Sequence, residues 1–351
     1  MREFIPDYRH IERAARNQET DRLPLYEHNI SHFIMEKILN EKFADLIHGD
    51  EKDINEYFRH YNRFFKEMGY DIVSYECCIG PAMPESGCLG GHKEPAIRDR
   101  ADFEKYPWAS VEDRFFEMYG PYFKAMIANL PAGMKAIGGV GNGIFECVQD
   151  VVGFMNLCYI SMDDRELYQD LFQKVFEISY RIWDRFLKEF GDGYCVLRFG
   201  DDLGYKSNTL LPAPDIKEEI IPRYQKIIEL IHSYHKPFLL HSCGCIFDLM
   251  DDLIDVAKID AKHSNEDEIA RFPVWVEKYG DRIGNFGGID TDAVCRLTRQ
   301  EMKEYITDVI RQCEHHGGFA FSSGNSIPDY VPVEGYLNMV EIVRELRGDY
   351  C

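Results

Sequence analysis

Short apolar runs ending in polar, chemically capable residues recur eight times along this chain. They cover residues 23–28, 70–76, 134–140, 194–201, 236–243, 258–264, 283–290 and 318–325. Long stretches with the 3.6-residue period of amphipathic helices separate them. Strand alternating with helix predicts a parallel sheet. Eight such units predict an α/β (β/α)8 TIM barrel, in which all strand C-termini surround one mouth. Read in order, those ends are Glu-His, Glu-Cys-Cys, Gly-Gly-Val-Gly-Asn, Gly-Asp-Asp, His-Ser-Cys, Lys-His-Ser, Gly-Gly-Ile-Asp and Ser-Ser-Gly-Asn. The reactive residues therefore collect where a barrel keeps its active site.

No Pro/Gly/Ser-rich linker, repeat or low-complexity segment interrupts the pattern, so residues 1–351 read as a single barrel domain. Residues 1–20 read as an N-terminal helical extension lying across the barrel, with Ile11, Ala14 and Ala15 at helical spacing. Helical stretches are expected over 31–48, 51–68, 161–190 and 215–234. The segment 80–95, rich in Gly and Pro, reads as an irregular loop after the second strand, suited to a mouth-side lid.

Charge narrows the function. With 61 acidic residues against 40 basic ones and a net charge of −21, the chain lacks the basic face that nucleic acid or an anionic membrane demands. No apolar run approaches the ~18 residues of a membrane span. The 11 Cys are odd in number and irregularly spaced, and the first residues lack the apolar core of a signal peptide. A cytoplasmic protein with reduced thiols is the expectation.

His241 and Cys243 are the sharpest chemical pair. Residues i and i+2 of a strand share a face, so imidazole nitrogen and sulfur point together into the mouth, a combination that suits zinc. A third ligand has to come from another strand end: His263, Glu266, Glu146, Cys78, Cys245 or Asp290. Asp201 and Asp202 end the fourth run. Neighbouring strand residues point to opposite sides, so one of the two is expected to face the centre as an acid, base or substrate anchor; capping of the next helix is the alternative. Glu27 and His28 offer a similar choice. Asp290 follows two glycines, and Arg198, inside its strand, needs an acidic partner. The run Gly138–Gly143 fits neither G-x-G-x-x-G nor a P-loop, so its glycines read as places of close backbone approach. G-x-S-x-G is absent.

Four segments carry a family resemblance: His241-Ser-Cys-Gly, Phe286-Gly-Gly-Ile-Asp290, Ser322-Ser-Gly-Asn-Ser-Ile-Pro328 and Gly200-Asp-Asp-Leu-Gly204. Together they resemble the uroporphyrinogen decarboxylase superfamily from about residue 20 onward, most densely over 194–336. The resemblance implies a (β/α)8 barrel. The porphyrinogen decarboxylases of that superfamily carry an Arg-rich motif after the first strand, where this chain has Glu27-His28-Asn29-Ile30. Its corrinoid-dependent methyltransferases carry His-x-Cys as zinc ligands with a distal Cys as the third. His241 and Cys243 match the first two, and Asn325 stands where the distal Cys falls. The resemblance thus implies a methyltransferase moving a methyl group between a small methylated substrate and a cobalt corrinoid on a partner protein. Zinc would be held by His241, Cys243 and either Glu266 or His263. Asp201, Asp202 and Asp290 would be the catalytic carboxylates, and His28, Asn142, Glu146 and Asn325 would bind substrate. A homodimer is compatible with this reading. The alternative is a metal-free decarboxylase or lyase acting on a small acid through Asp201 or Asp290.

Overall fold

The computed structural model describes residues 4–91 and 93–349. Seven parallel strands follow one another in chain order around a curled sheet: β1 (Ile72–Cys78), β2 (Lys135–Gly141), β3 (Tyr194–Gly200), β4 (Phe238–His241), β5 (Ala261–His263), β6 (Gly284–Ile289) and β7 (Phe319–Ser323). Helices connect them and cover the outer face, making an α/β, TIM-barrel-like fold.

The first expected strand is a correction. Residues 23–28 form no regular strand among the described residues; they make one bridge, Leu25 to Phe321. Backbone bonds reach β7 on one side, from Tyr26 N–H to Phe321 O and from Phe321 N–H to Pro24 O, both 2.9 Å. Toward β1 a side chain takes over, the Ser74 hydroxyl donating to His28 O at 2.8 Å. Pro24 has no N–H to give a ladder, so the segment fills the gap between β7 and β1 through mixed bonds. Three helical stretches also divide, the one expected over 215–234 into Ala213–Glu219 and Ile221–Ser233. Residues 31–48 become a helix, His32–Leu39, and a 3-10 turn, Ala44–His48. Asp164 separates Phe154–Asp163 from Arg165–Phe190, its carboxylate capping the second helix at Leu167 N–H.

The sheet interior is layered by the two-residue period of its strands. At the base lie Ile72, Val196, Leu239, Ala261, Phe286 and Ala320, packed with Ile11, Ala14 and Ala15 of the helix Arg9–Ala15. That helix comes so close that a Cβ on Gly284 would sit 2.3 Å from Ala14 O. Two residues nearer the mouth, the same strands present Ser74 and then Glu76, Arg198, His241 and His263. The apolar base and the polar upper layer are thus successive turns of one alternation. No helix among the described residues is long and apolar enough to cross a membrane.

Candidate active site

Arg198 stands at the centre of the polar layer and is 1% exposed. Its partner among the strand-end acids is Glu76, at 2.8 Å from both Nε and Nη2. Its Nη1 donates to the Tyr26 hydroxyl at 2.7 Å and to Ser74 Oγ at 2.9 Å. A buried guanidinium costs stability unless its donors are used, and here they tie β3 to β1 and to the segment 23–28. The Glu76 carboxylate also lies 3.6 Å from His28 Nε2. His28 stacks on His241 with ring centroids 3.9 Å apart, and burial holds its pKa well below the usual imidazole value.

His241 and His263 are register partners at the ends of β4 and β5. Their Nδ1 atoms are 2.8 Å apart, and His263 Nε2 lies 3.1 Å from Ser323 O. The carbonyl only accepts, so His263 carries its proton on Nε2 and offers a bare Nδ1. Burial pushes its pKa down to about 3, so it is neutral and holds one proton. The hydrogen between the two Nδ1 atoms therefore belongs to His241, and His241 Nε2 is left bare. That nitrogen lies 3.4 Å from Cys243 Sγ and 3.9 Å from Asp202 Oδ1. Asp202 Oδ1 accepts the Cys243 N–H at 2.9 Å. Asn325 Nδ2 and Ser264 Oγ lie 3.3 and 3.6 Å from the sulfur, both as donors. Burial, with the Asp202 charge beside it, raises the Cys243 thiol pKa, so the sulfur alone stays protonated.

Among the described residues, two groups bring three ligand atoms within 4.8 Å of one another: His28, His241 and His263; and Asp202, His241 and Cys243. The Nδ1 to Nδ1 hydrogen bond occupies the space between the rings of the first. The second suits zinc. Bonds of ~2.0 Å to nitrogen and ~2.3 Å to sulfur place tetrahedral N and S ligands ~3.5 Å apart, against 3.4 Å here. One N, one S and one O donor leave a fourth position open, as catalytic zinc requires. His263 is then the residue that orients His241 through its other ring nitrogen.

The remaining candidates are placed as follows. Asp201 diverges from Asp202. It is buried and accepts from Phe145 N–H at 2.9 Å, Glu146 N–H at 2.8 Å and the Tyr224 hydroxyl. It thereby satisfies the start of the helix Ile144–Val152. Gly143 makes this approach feasible, since a Cβ there would lie 2.2 Å from the carboxylate. Burial raises the Asp201 pKa while those three donors favour the charged form. Glu146 reaches Asn142 Nδ2 at 2.8 Å and lies 3.4 Å from Asp202 N; burial and the two aspartates raise its pKa strongly. Asp290 accepts from Asp292 N–H at 2.7 Å and Asp267 N–H at 2.8 Å, capping the helix Thr291–Arg296. Glu266 belongs to neither ligand group. With Asp290 and Asn325 it lines a cleft of about 430 Å3, which Asn325 links to the Cys243 sulfur. The loop 80–95 is pinned at Asp150, whose Oδ1 accepts from Gly87 and Leu89 N–H at 3.0 and 3.1 Å.

Glu76 and Lys262, which the strand-end pattern includes without marking them as site residues, also carry weight. Lys262 is buried, with Nζ 3.7 Å from the Trp275 ring centroid and bonded to Ser264 O; burial lowers its pKa to about 7. An ionisable residue inside a three-residue strand is the signal that could have found it.

Sheet, layers and mouth define a TIM-barrel-like protein whose reactive groups gather at the strand C-termini. The chain belongs to the uroporphyrinogen decarboxylase (URO-D) family, whose sequence profile matches residues 8–346. A methyltransferase from Methanosarcina mazei has a similar structure, with a TM-score of 0.76 at 16% identity, covering 96% of this chain and 98% of that one. A putative vitamin-B12 independent methionine synthase from Listeria monocytogenes is more distant, with a TM-score of 0.54 at 13% identity and coverages of 95% and 98%. At these identities the likeness is one of fold. No curated protein matches the sequence.

Proposed function

We propose that this protein is a cytoplasmic methyltransferase that moves a methyl group between a small methylated substrate and a cobalt corrinoid carried by a partner protein. We assign zinc to His241, Cys243 and Asp202. The observation that carries this reading is the donor set itself. A neutral imidazole with a bare Nε2, a thiol and a carboxylate converge, and Asn325 links them to a cleft. Membership of the URO-D family and the fold shared with a methyltransferase support it.

The chemistry that bound zinc supplies here is Lewis acidity toward the heteroatom bearing the methyl group. His263 keeps the His241 proton on Nδ1, so that Nε2 is always the free nitrogen. Asn325 and Ser264 donate to the Cys243 sulfur and favour its thiolate. Asp202 lends one oxygen and ties the Cys243 backbone in place. In the metal-free decarboxylase reading Asp201 or Asp290 would serve as the acid. Both oxygens of each accept helix or loop N–H groups, and Arg198 is committed to Glu76. Methyl transfer is therefore the better-supported reading.

The test is anaerobic transfer from methyl ethers, amines and thioethers to added cob(I)alamin or a corrinoid protein, followed by absorbance. The expected outcome is methylation of the corrinoid that Cys243→Ser abolishes. Absence of transfer from every donor class, with zinc present, sinks the proposal.

A further inference from the structure

The cleft beside Cys243 has a charge pattern that bears on the substrate. Its wall includes Asn265, Glu266, Asp290, Thr291, Asn325 and Tyr330, and no Lys or Arg lines it among the described residues. Asn325 joins the cleft to the metal-binding group, because its Nδ2 touches the Cys243 sulfur. The nearby cations are spent: Lys206 pairs with Glu268, and Arg296 with Asp292. Arg198 and Lys262 are buried and bonded elsewhere. A carboxylate or sulfonate entering here would meet two acids and no free cation.

Several groups on the wall have no protein partner. The Glu266 side chain makes no hydrogen bond or ion pair, although it is only half-exposed. Asn265 is 4% exposed; its Oδ1 accepts the Gly288 N–H at 3.2 Å, and its Nδ2 has no partner. The Thr291 hydroxyl has none either. An unmet buried donor costs stability unless a ligand or water completes it. The ring of Tyr330, 74% exposed, stands at the rim and offers a face that attracts cations.

We propose that this cleft recognises an ammonium group, and that the substrate is a small methyl ether or thioether carrying a cationic amine. The inference rests on the methyl-transfer reading and adds the charge of the substrate to it. Glu266 and the Thr291 oxygen accept ammonium protons, and Asp290, whose oxygens already accept two backbone N–H groups, adds its negative charge. The methylated heteroatom then lies on the Asn325 side, toward Cys243. In the transfer the C–heteroatom bond breaks, its electron pair stays on oxygen or sulfur, and the methyl group passes as a cation equivalent to the reduced corrinoid. The ammonium group is unchanged.

The experiment measures binding without turnover, by calorimetry or ligand-observed NMR. It uses three probes of one shape: 2-(methylthio)ethylamine, 2-(methylthio)ethanol and 3-(methylthio)propanoate. The expected result is that the amine binds at least ~10-fold tighter than the alcohol, with the carboxylate weakest. Glu266→Gln should erase most of that preference, and Glu266→Lys should reverse the order. Both sit on a half-exposed side chain, and their folding is checked by thermal melts. Equal binding of the three probes, tightest binding of the carboxylate, no detectable binding of the amine, or a preference unchanged in both Glu266 variants overturns the proposal. The same series on Cys243→Ser separates the two claims: loss of methyl transfer with the amine preference retained is expected. A wild-type protein that prefers the amine yet transfers no methyl group would refute the reaction and leave the cleft's selectivity standing.

Discussion

The imidazoles of His241 and His263 meet Nδ1 to Nδ1 at 2.8 Å, and the far nitrogen of His263 is held by Ser323 O. Two neutral rings and one carbonyl decide where both protons sit. Replacing His263 releases His241 to either tautomer and to rotation. His263→Phe, which keeps a ring in the buried space, should weaken zinc affinity by about 10- to 100-fold. Competition with a chromophoric chelator measures this directly; unchanged affinity would mean that His241 is oriented by something else.

Asn325 touches the Cys243 sulfur at 3.3 Å, where the resemblance to corrinoid methyltransferases places a second cysteine. A thiolate at that position would add a softer, charged donor to the His241–Cys243 pair. Asn325→Cys should therefore tighten zinc binding by about 10-fold or more. The same chelator competition checks it, and weaker binding would show that residue 325 cannot reach the metal.

Much of this layout was legible before any coordinates. Seven of the eight runs overlap a strand, because a parallel strand covered on both faces is mostly apolar, with its polar residues confined to the mouth-side layer. The run at 23–28 misled because apolar content says nothing of ladder bonds: Pro24 has no N–H, and toward β1 the segment is held by a side-chain bond, Ser74 hydroxyl to His28 O. His241 and Cys243 do lie 3.4 Å apart, but β4 ends at His241 and Cys243 sits in the turn after it, so strand alternation is not what brings them together. What stayed hidden were contacts between strands distant in sequence. Asp202 beside His241 and Glu76 against Arg198 are set by register and by inward direction, and neither is written in local spacing. The capping of the helix Ile144–Val152 by Asp201, more than fifty residues away, is hidden for the same reason.

Arg198 and Glu76 form the buried pair that ties β3 to β1. Arg198→Met leaves Glu76 without its cation and should cost about 3–5 kcal/mol. The double variant Arg198→Met, Glu76→Gln should recover a large part of that loss. Urea unfolding of the four proteins of the cycle reports the coupling; additive effects would mean the pair is replaceable by solvent.

Glu27 is fully buried against Ser323, whose N–H and hydroxyl donate to its two oxygens at 2.8 and 2.7 Å. Burial raises its pKa from 4.5 to about 8. The folded protein thus holds this proton more tightly than the unfolded chain. Its contribution to stability is complete below pH ~4.5 and is lost as pH rises toward 8. Glu27→Gln keeps an acceptor for the N–H and carries no charge. The difference in melting temperature should move in favour of the variant from pH 5 to pH 8 and level off above. A pH-independent difference would show that Glu27 ionises normally.

The most direct measurement is the zinc content of protein purified without chelator or immobilised nickel, beside Cys243→Ser and Asp202→Ala. Assignment of the metal to His241, Cys243 and Asp202 predicts about one zinc per chain, lost in Cys243→Ser and weakened in Asp202→Ala. Wild-type protein that takes up no zinc on titration, or full zinc retained in both variants, would contradict it.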